Sequence, residues 1–307
     1  MAAQTTFMRS LMFVPGHRQR MVDRALGLGE FAAGPLDVAL LDLEDGVAVA
    51  EKDNARDVLA ASLGRASNGR GPSRYVRINA VRSARRDADL AAVVRPGLAG
   101  ILAPKVDIPE DLMLLSNALD EREASAGLAG GTVRILAAIE SAIGLLNAPA
   151  IAASSPRVVG LMFGAEDFAL DIGLGTVREG EAAELVHARS AVVIAAASAH
   201  RVAFDGVWPD IKDAAGLRRD SLQARRLGFA GKSLIHPGQV ETINEIFSPS
   251  ADEIDYARRV LAAFEEAQAR GDGAIALGGQ LLDLPIVERA RRTLSAHEAL
   301  EVAASKA

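Results

Sequence analysis

Carboxylates cluster at three points of this 307-residue chain. Leu41-Asp42-Leu43-Glu44-Asp45-Gly46 and Phe163-Gly164-Ala165-Glu166-Asp167-Phe168 each follow an apolar run, and Ile139-Glu140-Ser141 ends a third. Such runs read as buried strands, and a carboxylate at the end of one is costly unless it is paired, hydrogen-bonded or bound to a cation. Three such ends point to one hard-metal site. Glu140 and Asp167 come from consecutive strand ends and can converge on Mg²⁺, which takes one or two carboxylates and completes its shell with waters and substrate oxygens. Glu44 and Asp45 would accept hydrogen bonds from those waters. Taken singly, each acid has an equal alternative as a cap for the helix after its strand. Taken together, the metal site is the more economical reading.

The other polar residues at strand ends are Arg77, Asn79, Lys105, Asp205 and His236. Arg77 alternates with apolar neighbours in Tyr75-Val76-Arg77-Ile78-Asn79, so it shares the face that turns toward a barrel interior. A guanidinium there can bind a substrate carboxylate or thioester oxygen, or form an ion pair with a barrel acid. Lys105, after Ile101-Leu102-Ala103-Pro104, is either a Schiff-base nucleophile or, the reading we favour, a charge partner for the acids. Lys232 opens its strand and lies at the wrong end for catalysis, so it reads as structural. His236 tops the last strand, where it can orient a ligand or a loop. His17, His187, His200 and His297 lack metal-ligand spacing, which disfavours zinc. Gly27-Leu28-Gly29-Glu30-Phe31-Ala32 imitates a dinucleotide fingerprint but follows no strand, and reads as a helix end and loop. Arg20 and Arg24 are four apart on one helical face, which either holds phosphates or is simply solvated.

The elements that must position these residues alternate along the chain. Apolar, β-prone runs span Ser10 to Val14, Asp37 to Leu43, Arg74 to Asn79, Gly100 to Val106, Val133 to Glu140, Val158 to Gly164, Val202 to Val207 and Lys232 to His236. Helical patterns separate them, as in Leu217, Leu222, Ala224 and Leu227. Pro109 with Glu110 and Asp111 reads as a helix first turn. Eight such units predict an α/β fold, a closed (β/α)₈ barrel with its active site at the C-terminal strand ends. Two more helices, Ala251 to Arg270 and Pro285 to Ala304, follow, joined by a Gly-rich stretch at Gly271-Asp272-Gly273 and Gly278-Gly279 that reads as a flexible joint. The expected division is a catalytic barrel over 1–248 and a helical extension over 249–307.

Composition narrows the partners. A net charge of −6 argues against nucleic acid or an anionic membrane as the main partner. No apolar run approaches the 18 residues or so that a membrane helix needs. The absence of cysteine removes disulfides, thiolate nucleophiles and Cys-ligated metal sites, and fits a cytoplasmic protein.

Seven segments carry a resemblance. Arg9-Ser10-Leu11-Met12-Phe13-Val14-Pro15-Gly16, the Leu41 to Gly46 motif, Val76-Arg77-Ile78-Asn79, Pro104-Lys105, Ile139-Glu140-Ser141, Phe163 to Asp167 and Gly231-Lys232-Ser233-Leu234-Ile235-His236-Pro237 occur in order. In this the chain resembles the citrate lyase beta-subunit-like family of the HpcH/HpaI aldolase superfamily, which includes malyl-CoA, citramalyl-CoA and citryl-CoA lyases. The resemblance implies a Mg²⁺-dependent barrel that cleaves or forms a carbon–carbon bond beta to a thioester. It implies Glu140 and Asp167 as metal ligands, Arg77 as a substrate contact, and Glu44 and Asp45 as residues that order the metal waters. The Gly164-Ala165-Glu166 backbone would face a 2-keto-acid carboxylate, and Arg20 and Arg24 would lie near the phosphates of coenzyme A. The segment Leu281 to Ala290 also resembles the family's C-terminal motif, and makes Asp283 the candidate acid/base, reaching into a neighbouring subunit of a homo-oligomer, most simply a trimer. The expected activity is lysis of a 3-hydroxy-3-carboxyacyl thioester of CoA to a 2-keto acid and an acyl-CoA, or the reverse Claisen-type condensation. The same motifs also serve citrate lyase beta subunits that use an acyl-carrier protein, and malyl-CoA thioesterases.

Overall fold

Alternation decides which side chains the strands turn inward. Leu11, Val38, Leu40, Tyr75, Leu102, Leu136, Ala138, Met162 and Phe204 form one buried cluster. They come from β1 (Ser10–Pro15), β2 (Val38–Asp42), β3 (Ser73–Arg77), β4 (Gly100–Ala103), β5 (Arg134–Ile139), β6 (Val158–Phe163) and β7 (Val202–Asp205). In the computed structural model, which describes residues 8–28, 36–65, 71–175, 183–270, 275–277 and 280–306, these strands and β8 (Gly231–Leu234) pair in parallel in chain order. The barrel closes by pairing β8 with β1. This is the expected (β/α)₈ barrel.

The connecting helices are α1 (Gln19–Ala25), α2 (Lys52–Leu63), α3 (Arg86–Val93), α4 (Pro109–Ser125), α5 (Ala142–Ala153), α6 (Ala165–Asp171), α7 (Val186–Ser198) and α8 (Ala214–Leu227), with α9 (Val240–Phe247) after β8. Local chemistry starts them. Pro109 opens α4 with Glu110 and Asp111 in its first turn, while Ser141 and Asp213 accept the Gly144 and Gly216 amides to cap α5 and α8.

Strand ends expected in the mouth are not all there. Phe204 points inward, so Asp205 beside it points out. It sits in a buried quartet in which Lys232 lies 2.5 Å from both Asp205 and Asp220, and Arg189 lies 2.8 Å from Asp205 and 3.1 Å from Asp220. Burial pushes the Asp205 pKa up, but the Lys232 and Arg189 charges outweigh it and hold the carboxyl below its ordinary range. Lys232 is the inner tie of this quartet.

Residues 8–245 and those from 246 onward cluster as two compact units. The second contains α10 (Ala251–Arg270), β9 (Ile275–Leu277), β10 (Gln280–Leu282) and α11 (Leu284–Lys306). It has a core of its own, in which Ala257, Val260 and Ala267 meet Leu282, Val287 and Ala290. β9 and β10 pair antiparallel, Ala276 opposite Leu281, while the glycines read as a flexible joint fall outside what the structure describes. Residues 271–274 and 278–279 lie outside the described residues, as do residues 29–35, which take in part of the Gly27 to Ala32 segment. Among the described residues no helix is long and apolar enough to cross a membrane.

Candidate active site

Continuing the inward face of β2, β3 and β5 by two residues beyond Leu40, Tyr75 and Ala138 brings Asp42, Arg77 and Glu140 to the C-terminal mouth. Asp42 and Arg77 end their strands opposite each other in register. Their side chains form a two-point pair, with Arg77 Nε 2.7 Å from Asp42 Oδ1 and Nη2 2.7 Å from Oδ2. The third guanidinium nitrogen, Nη1, lies 2.9 Å from Glu44 Oε2. Below, the Phe13 ring packs 4.8 Å from the guanidinium carbon. Burial pushes the Arg77 pKa down, but the hydrogen bonds and charge of Asp42, with Glu44 and Glu140, outweigh it and leave it raised.

Lys105 ties the acids together from β4. Its ammonium lies 2.7 Å from Glu44 Oε1 and 3.0 Å from Asp45 Oδ2. Its backbone is left-handed, at φ 52°, and turns its N–H to Glu140 Oε2 at 2.7 Å. Burial pushes the ammonium pKa down, but the two carboxylates outweigh that and hold it well above its ordinary value. A lysine so held offers no free amine near neutral pH, so the geometry favours the charge-partner role over Schiff-base chemistry. Burial raises the Glu44 carboxyl against the pull of Arg77 and Lys105. For Asp45 burial also acts upward, but the Lys105 and Glu44 hydrogen bonds win and the pKa falls.

Glu140 is strongly perturbed. Burial, with the negative charges of Asp167 and Glu44, pushes its carboxyl up to about 7 against the Lys105 amide and Arg77. Room for it depends on Gly164, where a Cβ would stand 2.2 Å from Glu140 Cγ. Asp167 is half-buried in the first turn of α6, where the helix dipole favours negative charge. A buried carboxylate whose proton affinity is raised in part by a neighbouring one fits a divalent cation, whose charge would remove the repulsion. Among the described residues no three His, Cys, Asp or Glu side chains converge closely enough to hold a metal alone. The donor set therefore suits an ion that keeps waters and takes substrate oxygens.

The remaining expected residues fall in different places. The Gly164 N–H donates to the Ile139 carbonyl at 3.0 Å. Gly164 thus supplies space rather than a donor for a ligand carboxylate, and the first N–H of the turn that belongs to α6 is that of Ala165. The Glu166 side chain is exposed. Arg20 and Arg24 are exposed on α1. Asp283, in the second unit, is exposed and accepts the Ile286 N–H at 3.1 Å as the cap of α11.

Two participants were missed in the sequence. Asp42 was passed over for its acidic neighbours, although Val38, Leu40 and Asp42 share one period-two face, as do Tyr75 and Arg77. Phe13, on the face that carries Leu11, is the other.

Residues 9–237 match the family model described as HpcH/HpaI aldolase/citrate lyase. A citrate lyase subunit beta from Leuconostoc mesenteroides subsp. cremoris is 38% identical over 286 residues, 93% of this chain and 92% of the relative. A (3S)-malyl-CoA thioesterase from Cereibacter sphaeroides is 36% identical over 301 residues, 98% of each. Among solved structures, CitE from Mycobacterium tuberculosis in complex with magnesium, acetoacetate and coenzyme A superposes with a TM-score of 0.74 at 30% identity, over 96% of this chain and 99% of that one.

Proposed function

The chain belongs to the HpcH/HpaI aldolase/citrate lyase family, and from that premise we propose that it is a Mg²⁺-dependent carbon–carbon lyase of a 3-hydroxy-3-carboxyacyl thioester of CoA. Its products would be a 2-keto acid and an acyl-CoA, with the Claisen-type condensation as the reverse. The carrying observation is the Glu140–Asp167 pair beside a guanidinium whose orientation is already fixed. Glu140 and Asp167 would hold Mg²⁺, with Glu44 and Asp45 ordering its waters. Bound there, the ion supplies a Lewis acid that polarises the hydroxyl or keto oxygen next to the substrate carboxylate.

The chain's own groups do the rest. Arg77 stabilises the thioester enolate that bond cleavage releases, because a fixed cation costs no reorganisation as charge develops. The N–H groups at the start of α6, from Ala165, take the keto-acid carboxylate. Arg20 and Arg24 meet the CoA phosphates, and Asp283 of a neighbouring copy protonates the enolate carbon.

Arg77→Lys is expected to lower kcat/KM by about a hundredfold or more, because one ammonium cannot serve Asp42, Glu44 and the substrate together. Unchanged kcat and KM would remove Arg77 from the reaction. A second expectation concerns pH. Because Glu140 in the metal-free protein holds a proton up to about pH 7, Mg²⁺ must displace it, and affinity should fall as pH drops through that value. Calorimetry in buffers of different ionisation enthalpy should register close to one proton released per ion at pH 6 and few at pH 8. Equal affinity and no proton release at both would dissociate Glu140 from metal binding.

The likeness to malyl-CoA thioesterases, 36% identical over nearly the whole chain, supports hydrolysis as the second reading. Assaying malyl-, methylmalyl-, citramalyl- and citryl-CoA isomers with Mg²⁺, following keto acid and free thiol separately, distinguishes the two. Keto acid without thiol marks the lyase and thiol without keto acid the thioesterase. Activity only after adding an acyl-carrier protein marks a citrate lyase subunit.

A further inference from the structure

We propose that Asp42 is a positioning residue: it presets the guanidinium of Arg77 and touches neither substrate nor metal. This rests on the reading of Arg77 above.

The argument begins with the acceptor capacity of a carboxylate, about four lone-pair sites on two oxygens. Asp42 fills all of them. Oδ1 accepts Arg77 Nε at 2.7 Å and the Glu44 N–H at 2.8 Å, and Oδ2 accepts Arg77 Nη2 at 2.7 Å and the Gly46 N–H at 2.8 Å. The residue is 2% exposed. A saturated, buried carboxylate has no lone pair left for a cation or a substrate proton. This separates Asp42 from Glu140 and Asp167, although all three are acids at one barrel mouth.

The partner's donors can be counted the same way. A guanidinium has five N–H bonds, and Arg77 hydrogen-bonds two of them to Asp42, while its Nη1 stands 2.9 Å from Glu44 Oε2 as an ion pair. The three that remain lie on the two terminal nitrogens. With Asp42 along one edge and Phe13 against one face, the plane that carries those donors is set before any substrate arrives. The two backbone donors on Asp42 come from the turn that also carries Glu44, so one carboxylate fixes both the guanidinium and its second partner. Gly46 is part of the device, since a Cβ there would lie 2.4 Å from Asp42 Oδ2.

The test is a double-mutant cycle on the full-length enzyme with Mg²⁺ and its best thioester. Asp42→Asn keeps the shape but replaces an acceptor with a donor facing donors, and is expected to lower kcat by about a hundredfold with KM changed only a few-fold. In an Arg77→Ala background the same change should alter the residual kcat by less than about twofold, because the group through which Asp42 acts is gone. A purely structural role predicts otherwise: a lower melting midpoint with kcat per folded molecule intact, or the same loss in both backgrounds. Either result overturns the proposal. An inactive Arg77→Ala beside a fully active Asp42→Asn also overturns it while sparing the reading of Arg77, whereas a fully active Arg77→Ala removes both. If Asp42→Asn fails to fold, Gly46→Ala, which displaces Oδ2 but keeps the charge, is run through the same cycle with the same expected non-additivity.

Discussion

Replacing Glu140 or Asp167 by alanine should abolish Mg²⁺-dependent turnover, by about a thousandfold or more, and leave the barrel folded. A hard cation held by two carboxylates has little affinity for a site with one, and polarisation of the oxygen next to the substrate carboxylate would depend on that cation. The fold should survive because neither side chain belongs to the apolar cluster inside the barrel. For Glu140 the expectation is sharper. Its carboxyl is raised from 4.5 to about 7 in the folded protein, so above pH 7 its ionised form opposes folding, by a few kcal/mol in order of magnitude. Removing it also removes the acceptor for the Lys105 N–H, which offsets about 1 kcal/mol. Metal-free Glu140→Ala should therefore melt at or above the wild-type midpoint at pH 8, and its advantage should shrink as the pH falls below 7. Near wild-type activity without added metal would reject the assigned site, and a large drop in midpoint at pH 8 would reject the electrostatic account of Glu140.

The second large effect is recovery rather than loss. Asp283→Ala and Glu140→Ala proteins should each be inactive, and mixing them under conditions of subunit exchange should restore activity. If each site takes its metal ligands from one copy and its acid from another, random assortment pairs an intact set in about a quarter of sites. Asp283 is exposed and spends one oxygen on the cap of α11, which leaves its other oxygen for a proton. A mixture that stays inactive after exchange has been demonstrated, or an active enzyme that runs as a monomer, would end the shared-site proposal.

The barrel was legible because eight apolar runs at βα spacing leave few other arrangements. Strand ends were less so: the reading Lys232 to His236 became Gly231–Leu234, because ladder pairing, which ends at Leu234 opposite Met12, sets the end rather than the apolar run, which continues to Ile235. The hairpin of β9 and β10 was missed because three-residue strands are too short to show a period, although Gly278-Gly279 between them is a turn signal. In the mouth, the acids and Lys105 were found from residue type and position alone. What stayed hidden was their pairing. Asp42 is one acid among three in its motif, and only its contact with Arg77, 35 residues away, distinguishes it. No local pattern reports such a contact.

The backbone of Lys105 shows what this site has given up. At φ 52° a residue with a Cβ costs roughly 1 kcal/mol or more relative to glycine. Glycine would keep the N–H that meets Glu140 but would lose the ammonium that joins Glu44 to Asp45. Lysine meets both demands, at the expense of a left-handed backbone. A search for a hardier barrel guided by stability alone would therefore favour glycine here, and in doing so would select against a residue that ties the ends of β2 and β5 together across the mouth.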